Sequence, residues 1–154
     1  MGRFVGCDVE IAAGSPGYPL LGLPDDALTG SRDRVRYARV NCSESWPNRK
    51  VTVSLSPAWL PKSGPGFDLP IAIALLAAQQ GIPLEWTREV LYLGELALDG
   101  RIRAVRGVLP SLIAAHKQGV TVAVVPSSNR MEAQVMGEMT ISQVDHLSTL
   151  RQWL

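Results

Sequence analysis

Residues 50–83 run KVTVSLSPAWLPKSGPGFDLPIAIALLAAQQGIP, and a change of period inside this stretch sets the architecture. From Lys50 to Leu55 apolar and polar residues alternate, which puts Val51, Val53 and Leu55 on one face of a half-buried strand. Ser56 to Gly66 follows as a loop rich in proline and glycine. Asp68 then stands as a cap for an apolar helix from Leu69 to Gln80, with Pro70 tolerated in its first turn. This helix is apolar around most of its circumference, so it belongs at the centre of the fold. Gly81-Ile82-Pro83 ends it.

Upstream, Phe4 to Ala12 reads as a strand with Val5, Cys7, Val9 and Ile11 on one face. Gly14-Ser15-Pro16-Gly17 is a turn cluster, and Tyr18 to Leu23 a second short strand. Pro24-Asp25-Asp26 is a helix start, because an aspartate side chain accepts from first-turn amides. That helix is predicted to reach about Asn41, with Leu28, Val35, Ala38 and Cys42 facing the core. Downstream, Val90 to Ala97 is predicted as a strand, Asp99-Gly100 as a two-residue hairpin turn, and Arg101 to Ala104 as the return. Val108 to Lys117 is a helix stopped by Gly119, and Thr121 to Val125 a β-branched strand of the buried type. Asn129 to Met136 forms a short helix, Met139 to Val144 a last strand, and His146 to Leu154 a closing helix that Asp145 caps. Strands come first as antiparallel pairs and then alternate with helices, which predicts an α+β fold with a mixed sheet.

The 154 residues fit one domain large enough for its own core, and 46% hydrophobic with 19% charged residues is an ordinary globular composition. A formal net charge of +1 gives no global field toward nucleic acid or membrane, so any such binding needs a local patch. No apolar run approaches the ~20 residues of a membrane helix, and the first residues lack a signal-peptide pattern; a cytoplasmic protein is expected. Cys7 and Cys42 are too few for a disulfide framework and have no metal-type spacing, so they read as buried thiols, with a pairing between them left open.

Several chemistries lack their residues. No G-x-x-x-x-G-K-[ST] is present. Lys62-Ser63-Gly64-Pro65-Gly66 only imitates a phosphate loop, since its lysine precedes the glycines and Pro65 removes an amide donor. His116 and His146 fall in no metal-binding pattern, and there is no G-x-S-x-G elbow. Glu95 and Asp99 flank the hairpin, but Asp99 serves the turn, so acid–base chemistry there is disfavoured.

Three ordered blocks resemble one family. They are Gly17-Tyr18-Pro19-Leu20-Leu21-Gly22-Leu23-Pro24-Asp25 with Ser31-Arg32-Asp33-Arg34-Val35-Arg36; Leu60 to Ala72; and Gly94-Glu95-Leu96-Ala97-Leu98-Asp99-Gly100. Together they are similar to the N-terminal domain of ComM/YifB proteins, Mg-chelatase-like AAA+ ATPases, over nearly the whole chain. The resemblance implies a Lon-protease-like fold shared with the second domain of a small-subunit ribosomal protein. It implies an AAA+ module C-terminal to residues 1–154, with ATP and Mg²⁺ belonging to that module and no cofactor here. It further implies a hexameric full-length assembly and a role in DNA branch migration during natural transformation.

Lon-type proteases use a serine nucleophile with a lysine base. Their P-K-D-G-P-S-A-G stretch, laid on Pro61 to Asp68, puts Gly66 at the nucleophile position. Their G-L-K-E-K-L-L-A-A-H stretch, anchored on Leu112-Ile113-Ala114-Ala115-His116, puts Leu109 at the base. Neither residue can do the chemistry, so the resemblance implies a scaffold without peptidase activity. A Lon-like peptidase is the alternative, and Gly66 with Leu109 speaks against it. A chelatase role on porphyrin would rest on the family name alone, since nothing here ligates Mg²⁺ or cradles a tetrapyrrole.

The candidate binding surface is on the first helix. Arg32, Arg36 and Arg39 recur at i, i+4 and i+7 and form a basic stripe, and Arg34, although it points elsewhere, joins them as a candidate binding residue. Arginines in such a patch can grip phosphates, or they can be a solvated face partly neutralised by Asp33 and Glu44. The loop from Ser56 to Asp68 offers Trp59 and Lys62, either as a partner- or DNA-contacting surface or as a rigid connector with Trp59 packed beneath it. Trp46, Trp59 and Trp86 stand where the family has no fixed tryptophans.

Overall fold

The computed structural model describes residues 5–83, 85 and 87–153. The strand start expected at Phe4, the helix end at Leu154, and Trp86 lie outside the described residues. The elements run β1 (Gly6–Ala12), β2 (Leu20–Leu21), α1 (Asp26–Thr29), α2 (Ser31–Asn41), β3 (Lys50–Ser56), α3 (Asp68–Ala78), β4 (Val90–Tyr92), β5 (Glu95–Leu96), β6 (Ile102–Arg103), α4 (Val108–Lys117), β7 (Val122–Pro126), α5 (Arg130–Ala133), β8 (Thr140–Val144) and α6 (Leu147–Trp153). This is the expected α+β mixture, divided among three small sheets.

The first sheet has the order β1-β3-β2, with β1 antiparallel and β2 parallel to β3. The alternation in β3 works as the sequence predicts: Val51, Val53 and Leu55 are buried while the residues between them are not. Their buried face lies in one core with α2 and α3, to which Leu28, Val35, Leu69, Ile71 and Leu75 contribute. Gly22, at φ +110°, lets the chain after β2 pass against Leu55; a Cβ there would collide with the Leu55 carbonyl oxygen. The second sheet is parallel, in the order β4-β7-β8, and α4 packs beside it through Val108, Leu112 and Ala115 with Ala123 and Val125 in a second core. β5 and β6 form a short antiparallel pair.

Four differences from the sequence reading have physical causes. The first helix breaks at Gly30 into α1 and α2, and Asp25 caps only the first piece, accepting from the Leu28 amide at 2.7 Å. The strand expected from Val90 to Ala97 divides at Gly94, because the Gly94 amide turns to the Gly66 carbonyl and the Gly94 carbonyl takes the Leu69 amide. The hairpin turn has three residues between the bonded Ala97 and Arg101, and of its two expected positive-φ positions only Gly100 (φ +95°) uses one. The cap of α6 is the ring of His146, whose Nδ1 accepts from the Ser148 amide at 3.2 Å, while Asp145 gives its carbonyl to Ile102.

Helix α3 ends on Gln80 at φ +60°, with the Gly81 amide reaching back to the Leu76 carbonyl. Helix α2 ends the same way on Ser43, at φ +61°, with the Glu44 amide on the Arg39 carbonyl. Both are left-handed closures of the kind usually given to glycine. Cys7 and Cys42 are free thiols, each half-buried. Burial, with Asp8 adding, pushes the Cys7 thiol up to about 12, so it stays protonated and inert at neutral pH.

Candidate nucleic-acid interface and degenerate dyad

Glycine 66 sits in the single helical turn Pro65–Phe67 that leads into α3. Its Cα faces Val105: an added Cβ would lie 3.8 Å from the valine side chain. Val105 is fixed by Asn129, which accepts from its amide at 3.0 Å and donates to its carbonyl at 2.9 Å. Leu109 follows one turn later, at the start of α4, and its amide donates to the Glu132 carboxylate at 3.3 Å. The two positions thus belong to neighbouring segments, joined through Val105, and carry no nucleophile and no base.

The loop before Gly66 does not fit a phosphate. The Gly64 amide donates to both oxygens of Asp25, at 3.3 and 3.2 Å, so a carboxylate already holds the place an anion would need. Lys62 is buried, at 2% exposure, and its ammonium donates to the Pro57 carbonyl. Its backbone bonds Leu23 and Asp25, which ties the loop to the chain after β2. Lys62 is therefore a structural pin, which corrects its expected place on a contact surface. Trp59 goes the other way: it is 68% exposed, not packed beneath the loop.

The arginine stripe is divided by its neighbours. Arg39 is buried at 2% exposure; its Nε donates to Glu44 at 2.6 Å, and another nitrogen donates to Gln79 at the end of α3. It belongs to the core, so the three-arginine stripe is corrected to two. Arg34 points onto Asp68 and is likewise committed to the fold, which corrects its expected place among the binding residues. Arg32 and Arg36 remain exposed. The Arg32 guanidinium lies 5.7 Å over the Tyr18 ring and that of Arg36 5.8 Å over Trp46. Tyr18 and Trp46 themselves meet edge to face at 5.0 Å. Two half-buried aromatic rings thus hold two arginines on one surface. Lys50, also exposed, pairs across from Gly17, the residue before Tyr18. By sequence Trp46 is only unusual; the shelf forms where the loop after α2 folds back onto Tyr18, ahead of β2, which no local pattern announces.

His116 Nε2 lies 2.9 Å from Glu138, and Asp99 is held below the usual carboxylate range, first by the Arg101 amide. Among the described residues no group of three or more metal-ligating side chains occurs, and no helix is long and apolar enough to cross a membrane.

The class is a two-core α+β domain with Gly66 in the turn that leads into its central helix α3. Residues 7–129 match the family model described as subunit ChlI of Mg-chelatase, and the chain belongs to that family. It is 48% identical over 153 residues to an uncharacterized protein of Mycobacterium tuberculosis, covering 99% of this chain and 30% of that protein. It is 38% identical over 131 residues to the competence protein ComM of Haemophilus influenzae, covering 85% of this chain and 26% of ComM. It is 39% identical over 143 residues to YifB of Escherichia coli, covering 93% and 28%. Lon proteases are more distant, at 27% and 28% identity. The chain therefore spans under a third of the length of these relatives.

Proposed function

We propose that this chain is a non-catalytic accessory domain of a ComM-type, Mg-chelatase-like AAA+ ATPase, cytoplasmic and acting in DNA processing. The motor it serves is a C-terminal module that uses ATP and Mg²⁺ and assembles as a homo-oligomer, in the implied case a hexamer. The observation that carries this reading is the pair Arg32 and Arg36, exposed on Tyr18 and Trp46 while the arginines beside them are consumed by the fold. Guanidinium groups held in position match phosphate oxygens at little entropic cost. Two to three cations per domain give weak, salt-sensitive binding, and a ring of copies multiplies it. Gly66 and Leu109 support the non-catalytic part, because neither residue carries a nucleophile or a base.

Fluorescence anisotropy of labelled single- and double-stranded DNA tests the reading, at low and physiological salt, with Arg32→Glu and Arg36→Glu combined. Binding that falls with salt and disappears in the double variant supports it. Absence of binding at high protein concentration moves the role to oligomer assembly or docking of the ATPase module.

A further inference from the structure

A groove of about 1650 Å³ lies between the two sheets. One wall is β1, through Val5 to Val9, and the other is β4 with its flanks, through Val90 to Leu93. Pro70, Ile73, Ala74 and Ala77 of α3 form an apolar floor, and Ser111 and Ala114 of α4 close one side. Among the described residues β1 is bonded only to β3, and β4 only to β7. Each strand therefore turns an unpaired edge into the same groove.

The two edges run in opposite directions. Ile11, late in β1, lies with Ala78 and Gln79 at the C-terminal end of α3. β4 ends at the other end of the helix, where Gly94 bonds Gly66 and Leu69. One strand laid between them would be antiparallel to one edge and parallel to the other, and both ladders are regular. The edges that line the groove set the paired length: Val5 to Val9 on one side and Val90 to Leu93 on the other, so about five residues of an inserted strand would be laddered.

We infer that this groove binds a single extended peptide segment of a partner protein, which completes the sheet between β1 and β4. Only polypeptide offers alternating amides and carbonyls at strand spacing on both sides. A second copy of this chain is a poor fit, because its own β1 arrives with one edge already bonded to β3. Charge refines the choice. Arg88, ahead of β4, and Arg106, beside the Gly66 turn, are exposed arginines on the groove lining toward its two ends. Of the acidic lining residues, Glu95 sits in the field of Arg34, which leaves exposed Asp8 against two exposed arginines and an excess of positive charge on the lining. The matching peptide has alternating β-branched residues at its centre and a carboxylate at each flank.

The probe is a fluorescein-labelled ten-residue peptide of alternating valine and threonine with a glutamate at each end, titrated into the 154-residue chain. Saturable binding is expected, with hydrogen-exchange protection appearing on both β1 and β4. Two central prolines in the peptide should weaken binding at least tenfold. Arg88→Glu with Arg106→Glu should weaken it at least threefold, and a peptide with lysine flanks should recover the loss. Ala74→Arg, which fills the floor, should abolish binding; if that variant does not fold, the charge exchange decides. No saturation at millimolar peptide, protection of one edge alone, or a concentration-dependent dimer that protects β1 without peptide would each overturn the inference.

Discussion

Arg34 of α2 and Asp68 of α3 meet in a two-bond pair, Nε to Oδ2 at 2.6 Å and the second nitrogen to Oδ1 at 3.0 Å. Asp68 also accepts from the Leu96 amide at 2.9 Å, so one carboxylate joins α2, α3 and β5. The same arginine donates to the Ala27 carbonyl at the break between α1 and α2. The sequence reading placed Asp68 as a cap; it instead lies inside the first turn of α3, fully buried. The junction that carries Gly66 is thus held from three directions by this residue.

Burial pushes the Asp68 carboxyl above its usual range, although Arg34 and the Leu96 amide pull it back down. A raised folded pKa means the folded state holds the proton more tightly than the unfolded one. Its contribution to stability is then fully present below the unfolded value and is lost as pH rises through the folded one. Asp68→Asn removes that titration. Urea midpoints from pH 3.5 to 7 should show the native chain losing ground to the variant as pH rises, on top of a pH-independent offset of about 1 kcal/mol for an amide NH2 standing where a carboxyl oxygen accepts a hydrogen bond. A stability difference independent of pH would contradict the assigned shift.

Arg36 and Arg39 stand one turn apart and should behave as opposites. Arg36→Glu gives up only a surface cation–π contact, about 0.5–1 kcal/mol. Arg39→Glu puts a second carboxylate beside buried Glu44 and should cost about 3 kcal/mol or more. Thermal melts together with DNA anisotropy separate the two: Arg36→Glu should lower binding with little change in Tm, and Arg39→Glu should lower Tm first. Equal effects on both readouts would return Arg39 to the surface.

The contrast shows where sequence information runs out. Period and punctuation located β3, α3 and α4 closely, because the residues that bury each element lie within it: Val51, Val53 and Leu55 for β3, Val108 and Leu112 for α4. The missed features depend on partners far along the chain. Arg39 leaves the stripe because Gln79, forty residues later, accepts from it. The strand from Val90 breaks because Gly66 and Leu69 claim Gly94. Lys62 looks like a surface cation until its backbone pairs with Leu23 and Asp25, far back in the chain, and the loop buries its ammonium against Pro57. The family blocks assign Gly66 and Leu109 to the expected dyad positions by register alone, while the groove between β1 and β4 has no local signature.

Gly66→Ser should fold with a change within about 0.5 kcal/mol, since its new Cβ meets only the Val105 side chain at ordinary contact distance. Peptidase activity should not follow, even with Leu109→Lys added. The Glu132 carboxylate beside the Leu109 amide would hold a lysine in its charged form and deny it the role of base. Casein and fluorogenic-peptide assays on the double variant check this, with circular dichroism confirming the fold. Turnover would mean that only two side chains separate this chain from a working protease.

The left-handed helix ends at Ser43 and Gln80 give the last prediction. A residue with a Cβ pays about 1 kcal/mol or more to sit at these angles, and glycine does not. Against that, glycine loses more backbone freedom on folding, so the net gain is smaller. Gln80 makes the cleaner test, because its amide bond to Ala77 and that of Gly81 to Leu76 are backbone bonds that survive the change. Gln80→Gly should stabilise the chain by about 0.5 kcal/mol, and adding Ser43→Gly should raise the gain further but not additively, because Arg39, Gln79 and Ser45 bond the two helix ends together. Urea denaturation should show a higher midpoint with an unchanged m-value. A lower midpoint would mean that the Gln80 side chain contributes more by lying over the end of α3 than its backbone angle costs.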